Sequence, residues 1–409
     1  MSIQTLKKIY TDKQIEVLKQ LKEKDWFMLG LHGAKRSGKT VLNNDVFLSE
    51  LRRVRKIADR IGIKQPIYIL AGTESKAIQN NIFQELFNRY GVTPKFDKHN
   101  SFELFGVKVV QVYTGSIAGL KSARGFTAYG AYINEASLAN EQVFKEIVTR
   151  CSGEGARIVW DSNPDIPTHW LKKEYIDSDN PNYINVHFIL DDNTFLSQRY
   201  IQNIKEATPS GMFYDRDING LWVTGEGVVY PDFDMKKHLF KKESTPPIER
   251  YIAGVDWGYD HYGAIVVIGI TSNQKYYIIE EHAKRLKEID YWVDVAQQIR
   301  NKYGRKTPFY CDSARPEHVA RFQREGINAF NANKAVLSGI EEVSKLIKND
   351  ALLVNQDAKQ FLDEIYQYAW DDKKGVPRKE HDDVMDAVRY AIYTNGRVGG
   401  KVQMFKGVL

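Results

Sequence analysis

The sequence predicts an α/β protein built as two successive units, with a parallel sheet in the first. Three observations carry this. Apolar runs of strand length alternate with amphipathic stretches between residues 26 and 160, the pattern of a parallel sheet covered on both faces. A loop-rich stretch follows at 223–250, with Thr224-Gly-Glu-Gly227, Pro231, the basic residues Lys236, Lys237, Lys241 and Lys242, and Pro246-Pro247. A second set of strands then begins at Tyr251-Ile-Ala-Gly-Val255. The expected layout is a first domain at 1–225, a linker at 226–250 and a second domain at 251–409, with a fragment from about Ile248 folding alone.

Taken in order, residues 11–24 predict a helix with Thr11 as N-cap and Ile15, Leu18 and Leu21 on one face. Trp26-Phe-Met-Leu-Gly-Leu31 is a strand, and Val41 to Leu51 a helix. Between them stands Gly33-Ala-Lys-Arg-Ser-Gly-Lys-Thr40, which meets G-x-x-x-x-G-K-[ST] at every fixed position. Strand, glycine loop and helix in succession define a P-loop. Backbone N–H groups from Gly33 to Gly38, with Lys35, Arg36 and Ser37 in the loop, cradle phosphate at a helix N-terminus. Lys39 reaches the β- and γ-phosphates, and the Thr40 hydroxyl sits on Mg²⁺. Two readings fit Gln14, ahead of the loop: an amide that reads adenine, or a solvated helix residue.

Further strands are expected at Pro66–Ala71, Val107–Tyr113, Tyr129–Ile133 and Arg157–Trp160, with a helix after Gly72 through Tyr90. Ile133-Asn134-Glu135-Ala136 closes the fourth strand. Glu135 suits the carboxylate that polarises an attacking water; a helix cap is the structural alternative. Asn134 stands where a charged Mg²⁺-shell residue is usual, able to bond a metal-bound water without adding charge. Asp161-Ser-Asn-Pro164 closes the fifth strand and suits a sensor of the γ-phosphate, or a simple Asx turn. Arg124, Lys35 and Arg36 compete as the cation that stabilises the transferring phosphoryl group.

In the second half, strands are expected at 251–255, Gly263–Ile270, Tyr276–Glu280 and Pro308–Cys311, with a helix from about Asp290 to Lys302. Three consecutive strands followed by helix–strand alternation is the order of a ribonuclease-H-like domain. Asp256 and Asp312 end strands, and Asp382, Asp383 and Asp386 open a late helix striped by Val384, Ala387, Val388 and Ala391. The spacings i,i+3 and i,i+4 let these last carboxylates share a face. Such a set suits hard divalent cations that clamp both oxygens of a phosphodiester displacement. The metal ligands expected are Asp256, Asp312, Asp383 and Asp386.

Bulk properties bound the alternatives. The 409 residues are 43% hydrophobic and 27% charged, with a net charge of +6, compatible with a polyanion partner. Two cysteines, Cys151 and Cys311, make no disulfide framework and no C-x-x-C zinc pattern, so a reducing compartment is expected. The N-terminus lacks a signal peptide's apolar core, and the longest apolar runs have strand length, so no membrane association is expected.

A P-loop unit followed by this carboxylate set resembles the large terminase subunit of tailed bacteriophages. The resemblance rests on Gly33–Thr40, Ile133-Asn-Glu-Ala136, Asp161-Ser-Asn-Pro164, Gly220-Leu-Trp222 leading into Glu226-Gly-Val-Val-Tyr230, Val255-Asp-Trp-Gly258, Cys311-Asp-Ser313 and Asp386-Ala-Val-Arg-Tyr390. The family's loop arginine falls at Lys35 and its Walker B aspartate at Asn134; its histidine three residues before the last aspartate falls at Asp383. The resemblance implies a motor that uses ATP and Mg²⁺ or Mn²⁺, packages double-stranded DNA and cuts it. It also implies a homo-oligomeric ring, a portal protein and a small terminase subunit as partners, and a place in the host cytoplasm and transiently on the procapsid. DNA binding is expected to be salt-sensitive and independent of sequence. Competing readings are a superfamily 2-type helicase, which needs a second motor domain where acidic strand ends stand instead, and an assembly protein with an inactive nuclease.

Overall fold

The structure, a computed structural model, describes residues 3–371 and 373–398. The tail 399–409, part of the expected second domain, lies outside the described residues. The chain divides into two compact units, Met1–Lys205 with Tyr214–Val223, and Glu206–Phe213 with Thr224–Leu409. Among the described residues each unit holds a seven-stranded sheet.

The first unit opens with the helix Asp12–Glu23, where Thr11 and Gln14 form a reciprocal capping box. Its strands are Met28–Gly33 (β1), Ile67–Gly72 (β2), Ser101–Leu104 (β3), Val107–Tyr113 (β4), Gly130–Ile133 (β5), Arg157–Ser162 (β6) and Tyr183–Phe188 (β7). They lie in the order β3-β4-β2-β5-β6-β1-β7. All pairings are parallel except β3–β4, an antiparallel edge that departs from the expected all-parallel sheet. Side chains alternate across the sheet: Leu29, Leu31, Leu70 and Val159 join one core with Phe47 and Leu51 of the helix Lys39–Ile61. Met28, Ile69, Ile133 and Trp160 join another with Phe144 and Ile147 of the helix Glu141–Arg150. The helix after the glycine loop continues past the expected end at Leu51 to Ile61, because Val54 and Ala58 keep its apolar face buried. Parallel strands direct their C-terminal ends to one edge, so the glycine loop, Asn134-Glu135 and Asp161–Asn163 stand at the C-terminal ends of β1, β5 and β6, neighbours in the sheet.

The second unit is built on Leu239–Phe240 (β8), Arg250–Asp256 (β9), Gly263–Ile270 (β10), Tyr276–Lys284 (β11), Phe309–Cys311 (β12), Ala329–Asn331 (β13) and Leu352–Asn355 (β14). The order is β13-β12-β9-β10-β11-β14-β8, with β9-β10-β11 antiparallel and the outer pairs parallel. The helix Asp383–Val398 packs across β9 at Gly254. A Cβ there would stand 1.8 Å from the Ala387 carbonyl oxygen, so only glycine admits the helix this close.

The stretch expected to be a linker, 226–250, is instead part of the second unit. β8 pairs with β14, Val228 bridges to Ala369, and Tyr230, Phe233 and His238 are buried, with His238 Nε2 3.0 Å from the Ile347 carbonyl oxygen. Apolar side chains spaced among the turn residues hold the segment down. Lys236, Lys237, Lys241 and Lys242 remain on the surface. Residues 206–213 also belong to the second unit, inside what was expected to be the first domain.

Candidate active sites

The glycine loop is shaped by backbone that side chains oppose. Gly33 has φ 131°, and a Cβ on it would meet the Phe188 carbonyl oxygen at 1.9 Å. Arg36 and Gly38 also take positive φ, and Ser37 Oγ donates to the Ala34 carbonyl at 2.8 Å. Lys39 is buried; its ammonium donates to the carbonyls of Gly33 at 2.9 Å and Ala34 at 2.5 Å and to Asn163 Oδ1 at 3.2 Å. Burial lowers its pKa to about 8, against the pull of Asp161, Asp217 and Glu135. Thr40 follows, half-buried, on the first turn of the helix.

Gln14 is buried rather than solvated. Its Nε2 donates to the Gly38 carbonyl at 2.9 Å while its Oε1 accepts from Thr11 N, so both ends of the amide are engaged. It ties the first helix to the glycine loop.

At the end of β5, Glu135 takes left-handed φ and ψ at the N-cap position of the short helix Ala136–Leu138, but its side chain makes no capping hydrogen bond there. Burial raises its carboxyl, with Asp161 adding to the rise and Lys39 opposing it. Asn134 is fully buried: its Nδ2 donates to Asp161 Oδ1 at 2.8 Å and its Oδ1 accepts from Asn81 at 2.9 Å. Asp161 also accepts from the Tyr132 hydroxyl at 2.7 Å and from Glu135 N at 3.1 Å. Ser137 N donates to Ser162 Oγ at 3.1 Å. The Asp161–Asn163 segment therefore touches Lys39 on one side and the Glu135 turn on the other, a chain of contacts that can pass on a change at the phosphates.

The competing cations differ in their partners. Lys35 pairs with Asp217 at 2.9 Å, Arg124 stands 3.6 Å from Glu146, and Arg36 is exposed with its carbonyl accepting from Asn193 at 2.6 Å.

In the second unit, Asp256 ends β9, Asp312 follows β12 beside it, and Asp382, Asp383 and Asp386 open the late helix. All five line one cavity of about 870 Å³. Burial raises the Asp256 carboxyl well above the usual range, and Asp386, Asp312, Asp383 and Asp382 raise it further. The crowding is that of a site built for positive charge, and the all-oxygen donors suit divalent cations. Three members already face protein cations: Asp312 pairs with Lys334 at 2.6 Å, Asp386 with Arg389 at 2.8 Å, and Asp382 with Lys379 at 3.5 Å.

Residues 72–217 match the family profile described as phage terminase large subunit, and residues 253–394 match the terminase RNaseH-like domain. Together they cover more than two thirds of the chain. The chain belongs to the phage large terminase family. It is a large terminase with an ATPase domain followed by an RNaseH-like nuclease domain. No curated protein matches it. The large terminase of a thermophilic bacteriophage has the same fold: 24% identity, TM-score 0.78, over 95% of this chain and 99% of that one. That terminase in complex with ADP superposes at TM-score 0.76 and 24% identity, over 96% and 100%. Its complex with ATP-γ-S does so at 0.73 and 25%, over 94% and 99%.

Within this terminase the geometry adds residues that the sequence alone did not single out. His261, in the turn between β9 and β10, has Nδ1 2.5 Å from Asp383 Oδ1. Lys334 flanks the carboxylates too, beside Arg389 and Tyr390 of the Asp386-Ala-Val-Arg-Tyr390 motif already read from the sequence, with the Tyr390 hydroxyl 3.3 Å from Asp386 Oδ2. Glu364, buried, accepts from the amides of Val384 at 2.8 Å and Met385 at 3.2 Å, and so caps the late helix from another element. Asn43 and Tyr132, around Asp161, are likewise brought in by elements distant from it in sequence.

Proposed function

We propose that the chain is the catalytic subunit of a viral DNA-packaging motor, which hydrolyses ATP to translocate double-stranded DNA and cuts it with a metal-dependent endonuclease. The observation that carries this reading is the cavity lined by Asp256, Asp312, Asp382, Asp383 and Asp386 in one unit, together with a complete P-loop in the other. Binding of ADP and ATP-γ-S by the thermophilic phage's terminase supports nucleotide as the P-loop's ligand.

In the first unit the loop amides and the Lys39 ammonium would hold the β- and γ-phosphates, and the Thr40 hydroxyl would hold the accompanying Mg²⁺. Glu135, its carboxyl raised by burial, orients the attacking water. Asn134 places Asp161 and the Glu135 turn rather than adding charge of its own. Arg36, exposed and without a carboxylate partner among the described residues, is the freest of the three candidate cations; Lys35 and Arg124 would first leave Asp217 and Glu146. In the second unit a bound Mg²⁺ or Mn²⁺ supplies charge for the phosphodiester oxygens. Asp256 and Asp383 would hold it, with Asp312 and Asp386 completing the acidic wall, and Lys334 and Arg389 keep those two in place.

The ring on the procapsid, the portal and small-subunit partners and the host-cytoplasmic location are part of this proposal. Among the described residues no helix is long and apolar enough to cross a membrane. The test is DNA-stimulated ATP hydrolysis run beside plasmid cleavage, each with and without divalent metal. The reading predicts both activities, with cleavage abolished by chelation. Cleavage that persists under chelation contradicts it.

A further inference from the structure

We propose that His261 is a metal ligand of the nuclease cavity, forming with Asp256 and Asp383 a mixed nitrogen–oxygen seat that favours Mn²⁺-like cations over Mg²⁺. The inference rests on the nuclease reading above and names a ligand and a cation class that the reading leaves open.

Three observations carry it. First, donor atoms of Asp256, His261 and Asp383 all lie within 4.8 Å of one another, the one such group of three among the described residues. Second, three other aspartates of the cavity, Asp312, Asp382 and Asp386, already face lysine or arginine. Asp312 meets Lys334 and accepts from Ala314 N, Asp386 meets Arg389 and the Tyr390 hydroxyl, and Asp382 meets Lys379. Asp256 accepts no side-chain hydrogen bond from any described group, although it ends a buried strand. A carboxylate so placed has desolvation to offset, and no hydrogen bond from a described group offsets it. Third, His261 is held toward the cavity from the β9–β10 turn by Asp383, while its side chain is 60% exposed. Solvent can therefore complete the coordination of an ion on that side.

The donor set decides the cation. Mg²⁺ demands near-octahedral geometry and keeps its waters, whereas first-row transition ions, Mn²⁺ the weakest binder among them, take an imidazole nitrogen in place of water more readily. One imidazole with two carboxylates thus shifts preference toward Mn²⁺ without excluding Mg²⁺. If His261 served only as an ion-pair partner of Asp383, removing it would leave a freer carboxylate, and Mn²⁺ would bind as well or better.

The experiment is titration of the full chain with Mn²⁺, reading free ion by electron paramagnetic resonance, then displacement by Mg²⁺. Wild type is compared with His261→Ala and His261→Gln, and thermal melting reports folding. Loss of the imidazole is expected to weaken Mn²⁺ by about 10–100-fold and Mg²⁺ by much less. His261→Gln keeps a hydrogen-bond donor for Asp383 and is expected to lose the Mn²⁺ preference as well, which decides the matter if the alanine variant does not fold. Unchanged Mn²⁺ affinity and an unchanged Mn²⁺/Mg²⁺ ratio in a folded variant overturn the role of His261, while wild type still binds and cuts. A wild-type chain that neither binds Mn²⁺ nor cuts plasmid DNA overturns the nuclease reading on which the inference stands.

Discussion

In the proposed ATP site the chemistry falls to Lys39 and Glu135, and burial acts on both, lowering the Lys39 ammonium and raising the Glu135 carboxyl. Phosphate binds the ammonium, not the amine. Because burial lowers Lys39 to about 8, the charged form is lost as pH rises through that value. Nucleotide affinity should therefore hold below pH 8 and fall by about tenfold per pH unit above it. Calorimetry with ATP-γ-S on both sides of that value checks this, and a flat profile would contradict it. Glu135→Gln keeps the shape of the side chain and removes the group that orients water. Turnover should drop by about 10²–10⁴-fold with nucleotide affinity retained; loss of affinity instead would mark Glu135 as part of the binding shell. Both residues were legible in the sequence, because each stands in a short contiguous motif at a strand end. His261 was not: one histidine in the polar turn Gly258-Tyr-Asp-His-Tyr262 carries no signal until Asp383, distant in the chain, is brought beside it.

At the scale of elements, the late helix decides whether the carboxylates meet. Its first amides are satisfied by Glu364, whose burial pushes its carboxyl up to about 7. Glu364→Ala leaves those amides unpartnered, at a cost of about 1–2 kcal/mol. The melting of the second unit should fall and plasmid cleavage with it, while ATP hydrolysis continues; an unchanged melting curve would show that the cap carries no weight. The longer strands were legible from their apolar runs, as in Gly263–Ile270, buried throughout. Short strands were not. β8 has two residues and β13 three, too few for a period. β7, at the sheet edge, has no continuous apolar run; its signal is the period-2 alternation of Ile184, Val186 and Phe188 with Asn185 and His187.

For the whole molecule, the boundary between units lies earlier than composition suggested. Proline, glycine and lysine at 224–250 suggest a linker, yet Tyr230, Phe233 and Phe240 are buried among them. Burying each such side chain contributes about 1.5–3 kcal/mol. A fragment beginning at Thr224 should therefore fold cooperatively, and one beginning at Ile248, which lacks β8 and these aromatics, should be markedly less stable in urea. Equal stability of the two fragments would contradict the assignment of 224–250 to the second unit. The central claim is that one chain carries two separate chemistries, ATP hydrolysis on the P-loop and metal-dependent cutting at Asp256. The most direct measurement assays plasmid nicking, with Mg²⁺ and with Mn²⁺, and ATP hydrolysis on the same preparations of Asp256→Asn and Lys39→Ala. The account predicts that Asp256→Asn loses nicking with either ion and keeps ATP turnover, and that Lys39→Ala does the reverse. Nicking at the wild-type rate by Asp256→Asn with either ion would contradict it.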